Sequence, residues 1–232
     1  MKCQNAAQKR RTKFQKYTFM ALPVVIISGW LYPAIGFLLF ECMLGAVGFA
    51  LFQGRSWCNW MCPRGAFYDL VVGKMSRNVQ IPNFFHKKSV RIFMVGLIMS
   101  VIGVQFYLDW GNINSMGLVL VRLLTITTLA GIILGIIFHP RTWCHICPMG
   151  TIANWLSEGK KTMYISDNCV SCKLCAKACP MQLKPYEYKG FATMGDNDCL
   201  KCSSCVDACP KKALSFEKPG SCQVTPIKKA KS

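Results

Sequence analysis

Two cysteine runs near the C-terminal end constrain this chain more than any other feature. They read Cys169-x2-Cys172-x2-Cys175-x3-Cys179-Pro180 and Cys199-x2-Cys202-x2-Cys205-x3-Cys209-Pro210. Eight thiols at these intervals have the spacing that holds two [4Fe–4S] clusters, and in that pattern the fourth cysteine of each run ligates the other cluster. Cluster one then takes Cys169, Cys172, Cys175 and Cys209; cluster two takes Cys199, Cys202, Cys205 and Cys179. The close triplet wraps three corners of a cubane. The distant cysteine returns from the other half and locks the halves together, and Pro180 and Pro210 turn the chain away after it. Zinc also binds four cysteines, but the doubled x2-x2-x3-Pro pattern points to iron–sulfur chemistry. The halves repeat one another around these runs, Asp167-Asn168-Cys169-Val170 against Asn197-Asp198-Cys199-Leu200. Residues 161–218 are therefore expected to form a small ferredoxin-like α+β domain, with a polar tail over 219–232.

Ahead of this domain the chain is strongly apolar. The run 17–53 carries a single charge, Glu41. As one helix it would be about 55 Å long, nearly twice the hydrocarbon thickness of a bilayer. Two short spans fit better, joined by a turn near Ser28-Gly29, Tyr32 and Pro33, where Gly and Pro supply the break. Residues 89–109 and 117–139 are two further candidate spans, forming a second hairpin over 89–139. The expected fold is a membrane α-helical anchor of four transmembrane helices plus a C-terminal cytoplasmic 2[4Fe–4S] domain.

Charge sets the expected orientation. The formal net charge is +18. Nucleic-acid binding is one reading of such a value, but cytoplasmic loops of membrane proteins accumulate Lys and Arg. With the basic N-terminus 1–16 inside, the loop 54–88 and everything after 139 are inside too. All of the 28 basic residues except Arg122 then fall on the cytoplasmic side. A single span over 17–53 would put the two cysteine-bearing regions on opposite sides and lose that bias. The basic start and first apolar run resemble a signal peptide, but no small-residue cleavage site follows, so the run reads as an uncleaved span. The expected location is the plasma (inner) membrane, with both termini cytoplasmic. Fifteen cysteines would suit a secreted disulfide scaffold. The cluster spacing and the density of lysine argue instead for a reducing compartment.

Two more cysteine pairs flank the inner spans. One is Trp57-Cys58-Asn59-Trp60-Met61-Cys62-Pro63-Arg64-Gly65; the other is Trp143-Cys144-His145-Ile146-Cys147-Pro148-Met149-Gly150, in the connector 140–160. Each follows a span that ends inside and carries Trp-Cys…Cys-Pro-x-Gly. The four thiols suffice for one more metal site, a third iron–sulfur cluster among the possibilities, or for a pair of dithiols. The plainer reading is two structural turns with interfacial tryptophans.

A multi-span membrane part with two Trp-Cys…Cys-Pro motifs, followed by this two-cluster module, resembles the NapH-type membrane-bound polyferredoxins. The C-terminal, cytoplasmic half of NosR and the CcoG-type proteins share the pattern. The resemblance runs from Tyr17 to about Phe216. In that family both pairs usually read Cys-x3-Cys-Pro. Cys58 and Cys62 do, whereas Cys144 and Cys147 are one residue closer. The resemblance implies an oxidoreductase subunit of quinol dehydrogenase type, oxidising quinol and passing electrons to a redox partner protein within a larger complex. Two other functions stand beside it. CcoG-type relatives imply metal reduction for metalloenzyme maturation or regulation, and a ferredoxin-driven quinone reduction would run the same path backwards. The quinone site is expected near Trp57–Phe67 and Trp143–Trp155.

Other residues carry weaker signals. Glu41 and Arg122 lie at similar depths in their spans, so they could pair or line a proton route. The three histidines, His86, His139 and His145, read as interfacial side chains rather than a haem pair. Cys3, Cys42 and Cys222 lack metal spacing, and Cys42 reads as a small core residue. Lys173, Lys177, Lys201, Lys211 and Lys212 surround the cluster motifs, either as a docking face for an acidic partner or as a solvated basic surface beside anionic clusters and lipid.

Overall fold

The computed structural model describes residues 6–191 and 193–216. Cys3, Cys222 and the tail lie outside them. The chain begins with a polar helix, α1 (Ala6–Thr18), and a turn at Phe19 and Met20 leads into α2 (Ala21–Leu31). Tyr32 is extended, as the residue before a proline tends to be; it ends α2, and Pro33 opens a 3-10 turn that runs into α3 (Leu38–Gln53). The break thus falls at the anticipated Tyr32-Pro33. α2, however, has only 11 residues, about 16 Å of helix, because α1 has already taken the start of the apolar run.

Three helical segments are long and apolar enough to cross a membrane: Pro33–Gln53, Lys88–Leu108 and Ile113–Ile137. Four spans were expected, and α2 is the shortfall. Exposed Phe93 and Val104, and Ile126, Leu129 and Ile133, stud the outer faces of the last two. Such surfaces are unfavourable in water and suit lipid. Aromatic residues mark one end of the bundle, with Trp30 and Tyr32 beside the α2 turn and Tyr107 and Trp110 between the long helices, all exposed.

Between the spans lie short elements. α3 ends at Gly54, whose φ of +65° suits a residue without a Cβ. Then come α4 (Ser56–Trp60) and a continuous helix made of α5 (Pro63–Phe67), one π-helical turn (Tyr68–Val72) and α6 (Gly73–Met75). The long helices α7 (Lys88–Leu108) and α8 (Ile113–Ile137) follow, then α9 (Thr142–Ile146) and α10 (Pro148–Leu156). The start of α8 packs against the α2–α3 turn. A Cβ on Gly117 would sit 2.1 Å from the Pro33 carbonyl oxygen, so only glycine allows that approach.

The ferredoxin module holds β1 (Tyr164–Ile165), α11 (Leu174–Lys177), α12 (Ser204–Asp207) and β2 (Leu214–Ser215). β1 and β2 pair antiparallel, Tyr164 opposite Ser215 and Ile165 opposite Leu214. Its core is built from Met163, Met181, Leu183, Met194, Leu200 and Leu214, with the buried cluster-motif cysteines among them.

Candidate metal centres and the membrane cavity

The ferredoxin module brings its eight cysteines together as two sets of four. Cys169, Cys172, Cys175 and Cys209 line one cavity. Cys179, Cys199, Cys202 and Cys205 line another. Each set draws three cysteines from one run and one from the other. The loops have the same strained backbone in both halves. Ser171, Lys173 and Gln182 have positive φ, and so do Lys201, Ser203 and Lys212, thirty residues on. Left-handed backbone at side-chain-bearing residues costs roughly 1 kcal/mol each. It curls successive N–H groups inward, the geometry of anion-binding nests at iron–sulfur sites. The Leu183 and Met181 N–H groups point at the Cys179 sulfur, and Ala213 N donates to Cys209 Sγ at 3.4 Å. Burial pushes the Cys179 thiol up to about 12. Thiols in such surroundings stay protonated unless a metal takes the proton's place, so the donor sets fit cubane clusters.

The other four cysteines form a third group. Cys58, Cys62, Cys144 and Cys147 all line one apolar cavity. Their environments match in pairs. Cys62 and Cys147 each cap a helix that opens with proline, at α5 and α10. Gly65 N donates to Cys62 Sγ at 3.4 Å. Burial raises the Cys58 thiol to about 12 against the pull of Arg55, and Cys62 and Cys144 are raised by the same cause.

Two arginines absent from the expected site residues tie the halves together. Arg55 and Arg141 each stand three residues before the first cysteine of a motif. Arg55 Nη2 donates to the Cys144 carbonyl at 2.8 Å, and Arg141 Nη1 donates to the Cys58 carbonyl at 3.0 Å. Each arginine thus grips the other motif. Glycine makes room for it: a Cβ on Gly150 would lie 2.8 Å from Arg55 Nη2, and one on Gly65 would lie 2.9 Å from Arg141 Nη1. The repeated Arg-Ser-Trp-Cys and Arg-Thr-Trp-Cys, each with a Gly ten residues before its Arg, was the available sequence signal. Gly45 receives the Trp57 ring, and Gly131 receives Trp143 with the Tyr68 hydroxyl.

Each arginine is held by an aspartate. Arg141 pairs with Asp69 on the π-helical turn at 2.5 Å, and Arg11 of α1 pairs with the same carboxylate. Gln15 adds a 2.9 Å hydrogen bond. Arg55 pairs with Asp198 at 2.5 Å, Arg91 of α7 pairs with it too, and Asn154 Nδ2 donates to it at 2.6 Å. Burial works against both carboxylates. For Asp69 the Arg141 and Arg11 guanidiniums overcome it and hold the pKa below the usual range; for Asp198 the neighbouring His145, Arg55 and Arg91 do so. Asp198 precedes Cys199, so this pair fastens the ferredoxin module to the membrane base. Cys58 and Cys144 also pack against the module's core.

The cavity behind the third group measures about 370 Å³. Its walls are Leu22 and Val25 of α2, Leu39, Met43 and Ala46 of α3, Ile98 and Ile102 of α7, and Leu120 and Leu124 of α8. Trp57, Trp143 and Arg64 lie at the cysteine end, where Arg64 Nη2 donates to Thr127 Oγ1 at 2.5 Å.

Several expected roles are changed by the structure. Glu41 and Arg122 are both exposed and make no ion pair with each other among the described residues. Only the neighbour of Glu41, Cys42, lines the cavity. His145 is buried rather than interfacial; its ring lies 4.3 Å from that of His86, and burial lowers its pKa to about 4. Lys201 is buried too, with its stem against Gly54, whereas Lys173, Lys177, Lys211 and Lys212 are exposed.

Comparison with known proteins agrees with this arrangement. A 4Fe-4S dicluster domain model matches residues 168–214. A second model, a 4Fe-4S binding domain, matches twice, over 35–82 and 121–165. The chain is an iron–sulfur protein with 4Fe-4S ferredoxin-type domains. The second model's two matches each contain one of the Trp-Cys…Cys-Pro motifs. Among curated proteins, an uncharacterised protein of Methanocaldococcus jannaschii is 31% identical over 60% of this chain and 56% of its own length. Another from the same organism is 28% identical over 58% and 62%. The methylamine utilization ferredoxin-type protein MauN of Methylobacillus flagellatus is 27% identical over 56% and 50%. The chain thus spans roughly half to three-fifths of these relatives' lengths. No solved structure matches.

Proposed function

We propose that this chain is a membrane-anchored electron-transfer subunit that oxidises quinol and passes the electrons to a redox partner through three cysteine-held sites. One observation carries the reading: a single apolar cavity runs from between the candidate spans to Cys58, Cys62, Cys144 and Cys147. Cys58 and Cys144 then touch the ferredoxin core, and Arg55 joins the Cys144 carbonyl to Asp198, the residue before Cys199 in the set of Cys179, Cys199, Cys202 and Cys205. Cys169, Cys172, Cys175 and Cys209 form the outermost set. Bound at the three sets, [4Fe–4S] clusters supply carriers of one electron each.

The chain's residues do the rest. The apolar walls bind an isoprenoid quinone ring and exclude water from it. Arg64 is placed to donate a hydrogen bond to a ring oxygen at the cysteine end. Arg55, Arg64 and Arg141 offset the negative charge that four thiolates bring to a buried cluster. α2 completes the cavity wall and carries the chain from the Tyr32-Pro33 break back toward α1, and the excess of Lys and Arg outside the long helices supports cytoplasmic termini. The NapH-type resemblance supports quinol oxidation, and the ferredoxin-type relative supports iron–sulfur electron transfer.

Blocking the cavity tests this. Ala46→Trp fills it at a buried wall position on α3. Quinol-dependent reduction of the purified protein is expected to fall at least about tenfold, with reduction by dithionite and iron content unchanged. Full quinol-dependent reduction in that variant would refute the cavity as the quinone site.

A further inference from the structure

The two halves of the ferredoxin module are related by a thirty-residue repeat, and their equivalent surfaces have opposite fates. Val170 is 59% exposed; its counterpart Leu200 is 2% exposed. Leu174 is 43% exposed, against 4% for Ser204. Cys172 is exposed and Cys202 is buried. The second half is covered because it sits on the membrane base, with Asp198 on Arg55 and Arg91 and the Lys201 stem on Gly54. On the first half the base reaches Gln182, which accepts from Ile81 N at 2.9 Å and donates to the Val79 carbonyl at 3.3 Å, but it leaves Val170, Cys172 and Leu174 exposed among the described residues.

One charged position follows the same division. Lys177 on the exposed half corresponds to Asp207 on the covered one. Lys173, Lys177 and Lys211 are exposed; Lys211 lines the cavity of the outer cysteine set, and Lys173 lies over the ring of Tyr186, which lines it too. The result is a small apolar centre, Val170 and Leu174, beside an exposed metal-site cysteine and ringed by lysine. Apolar centres with charged rims are how transient partners are steered and held.

We propose that this face is the docking surface for a soluble one-electron redox protein whose own contact patch is acidic. It rests on the cluster reading above, since the outer cysteine set must carry the electron. On contact one electron leaves the reduced chain and enters the partner's cofactor. No bond forms or breaks in the chain.

The test uses the full-length protein in neutral detergent, reduced with dithionite and cleared of excess. Two acceptors are compared by stopped flow: an acidic flavodoxin, whose flavin takes one electron and one proton, and basic cytochrome c. The flavodoxin reaction is expected to slow steeply with added salt. The triple variant Lys173→Glu, Lys177→Glu, Lys211→Glu should slow it by about tenfold or more and speed the cytochrome reaction. Reversal of Lys13 and Lys16 on α1 should change neither. EPR intensity and iron content, measured on every sample, report the clusters separately; a wild-type chain without them overturns both readings. Intact clusters with unchanged flavodoxin rates in the triple variant would overturn the docking face alone. So would protection of these lysines from acylation by anionic phosphatidylglycerol vesicles with flavodoxin rates unmoved, which would assign the face to lipid headgroups.

Discussion

Asp69 shares its carboxylate between two guanidiniums, Arg141 and Arg11, both deeply buried. Removing one partner of such a group leaves uncompensated buried charge, which costs about 3–5 kcal/mol. Asp69→Ala is therefore expected to lower the thermal midpoint of the detergent-solubilised protein sharply. An unchanged midpoint would mean that the pairs contribute nothing to stability. The pH dependence has a worked sign. His145 is held neutral by burial, with its pKa lowered from 6.5 to about 4. As pH falls between these values the unfolded chain takes up a proton that the folded chain refuses, so stability declines across that window. Asp69 acts lower. Its stabilisation is complete above the ordinary carboxylate value of about 4 and is lost as pH falls through its depressed folded pKa. A denaturation series from pH 7 to 4 should show the first loss in the wild type and a smaller one in His145→Asn. Equal slopes would contradict the assignment. None of these partners was legible from spacing alone, because an ion pair between residues far apart in sequence leaves no local pattern.

At the scale of elements, the break at Tyr32-Pro33 and the two long helices were readable from hydropathy and proline chemistry. The shortness of α2 was not. Hydropathy places Tyr17–Met20 in the apolar run, but α1 runs on to Thr18, with a turn at Phe19 and Met20, and so brings Arg11 and Gln15 against Asp69. Close packing of the hairpin on α8 is the element-level contact most open to test. Gly117→Leu drives a side chain into the Pro33 carbonyl, whereas a Cβ on Gly103 meets nothing within 4 Å. The first substitution should destabilise the membrane part by about 1–3 kcal/mol or more, and Gly103→Leu should be close to neutral. Equal effects in thermal scans would argue against the glycine contact. The swapped arginines also belong to this scale, since each joins one motif to the other. Arg141→Lys cannot reach Asp69 and the Cys58 carbonyl with the same planar fork. It should lower the iron retained at the membrane-facing site while leaving the ferredoxin signals in place.

Across the whole molecule, the chain stacks three cysteine sets in order, from the cavity between the apolar helices to an exposed lysine-ringed face. The composition of each set was legible for the ferredoxin module because its ligand spacing is so particular. The third set was legible as four thiols sufficient for one site, beside the plainer reading of two separate turns. Their convergence depends on Arg55 and Arg141 crossing between motifs, and the one-residue difference between the pairs hid how closely the two halves match. The central claim is that Cys58, Cys62, Cys144 and Cys147 hold a third cluster linking that cavity to the ferredoxin module. Iron counting with EPR on anaerobically purified protein tests it most directly. The wild type should contain about twelve irons per chain and Cys147→Ala about eight, with the two ferredoxin signals unchanged. About eight irons in the wild type, and no difference in Cys147→Ala, would contradict the account.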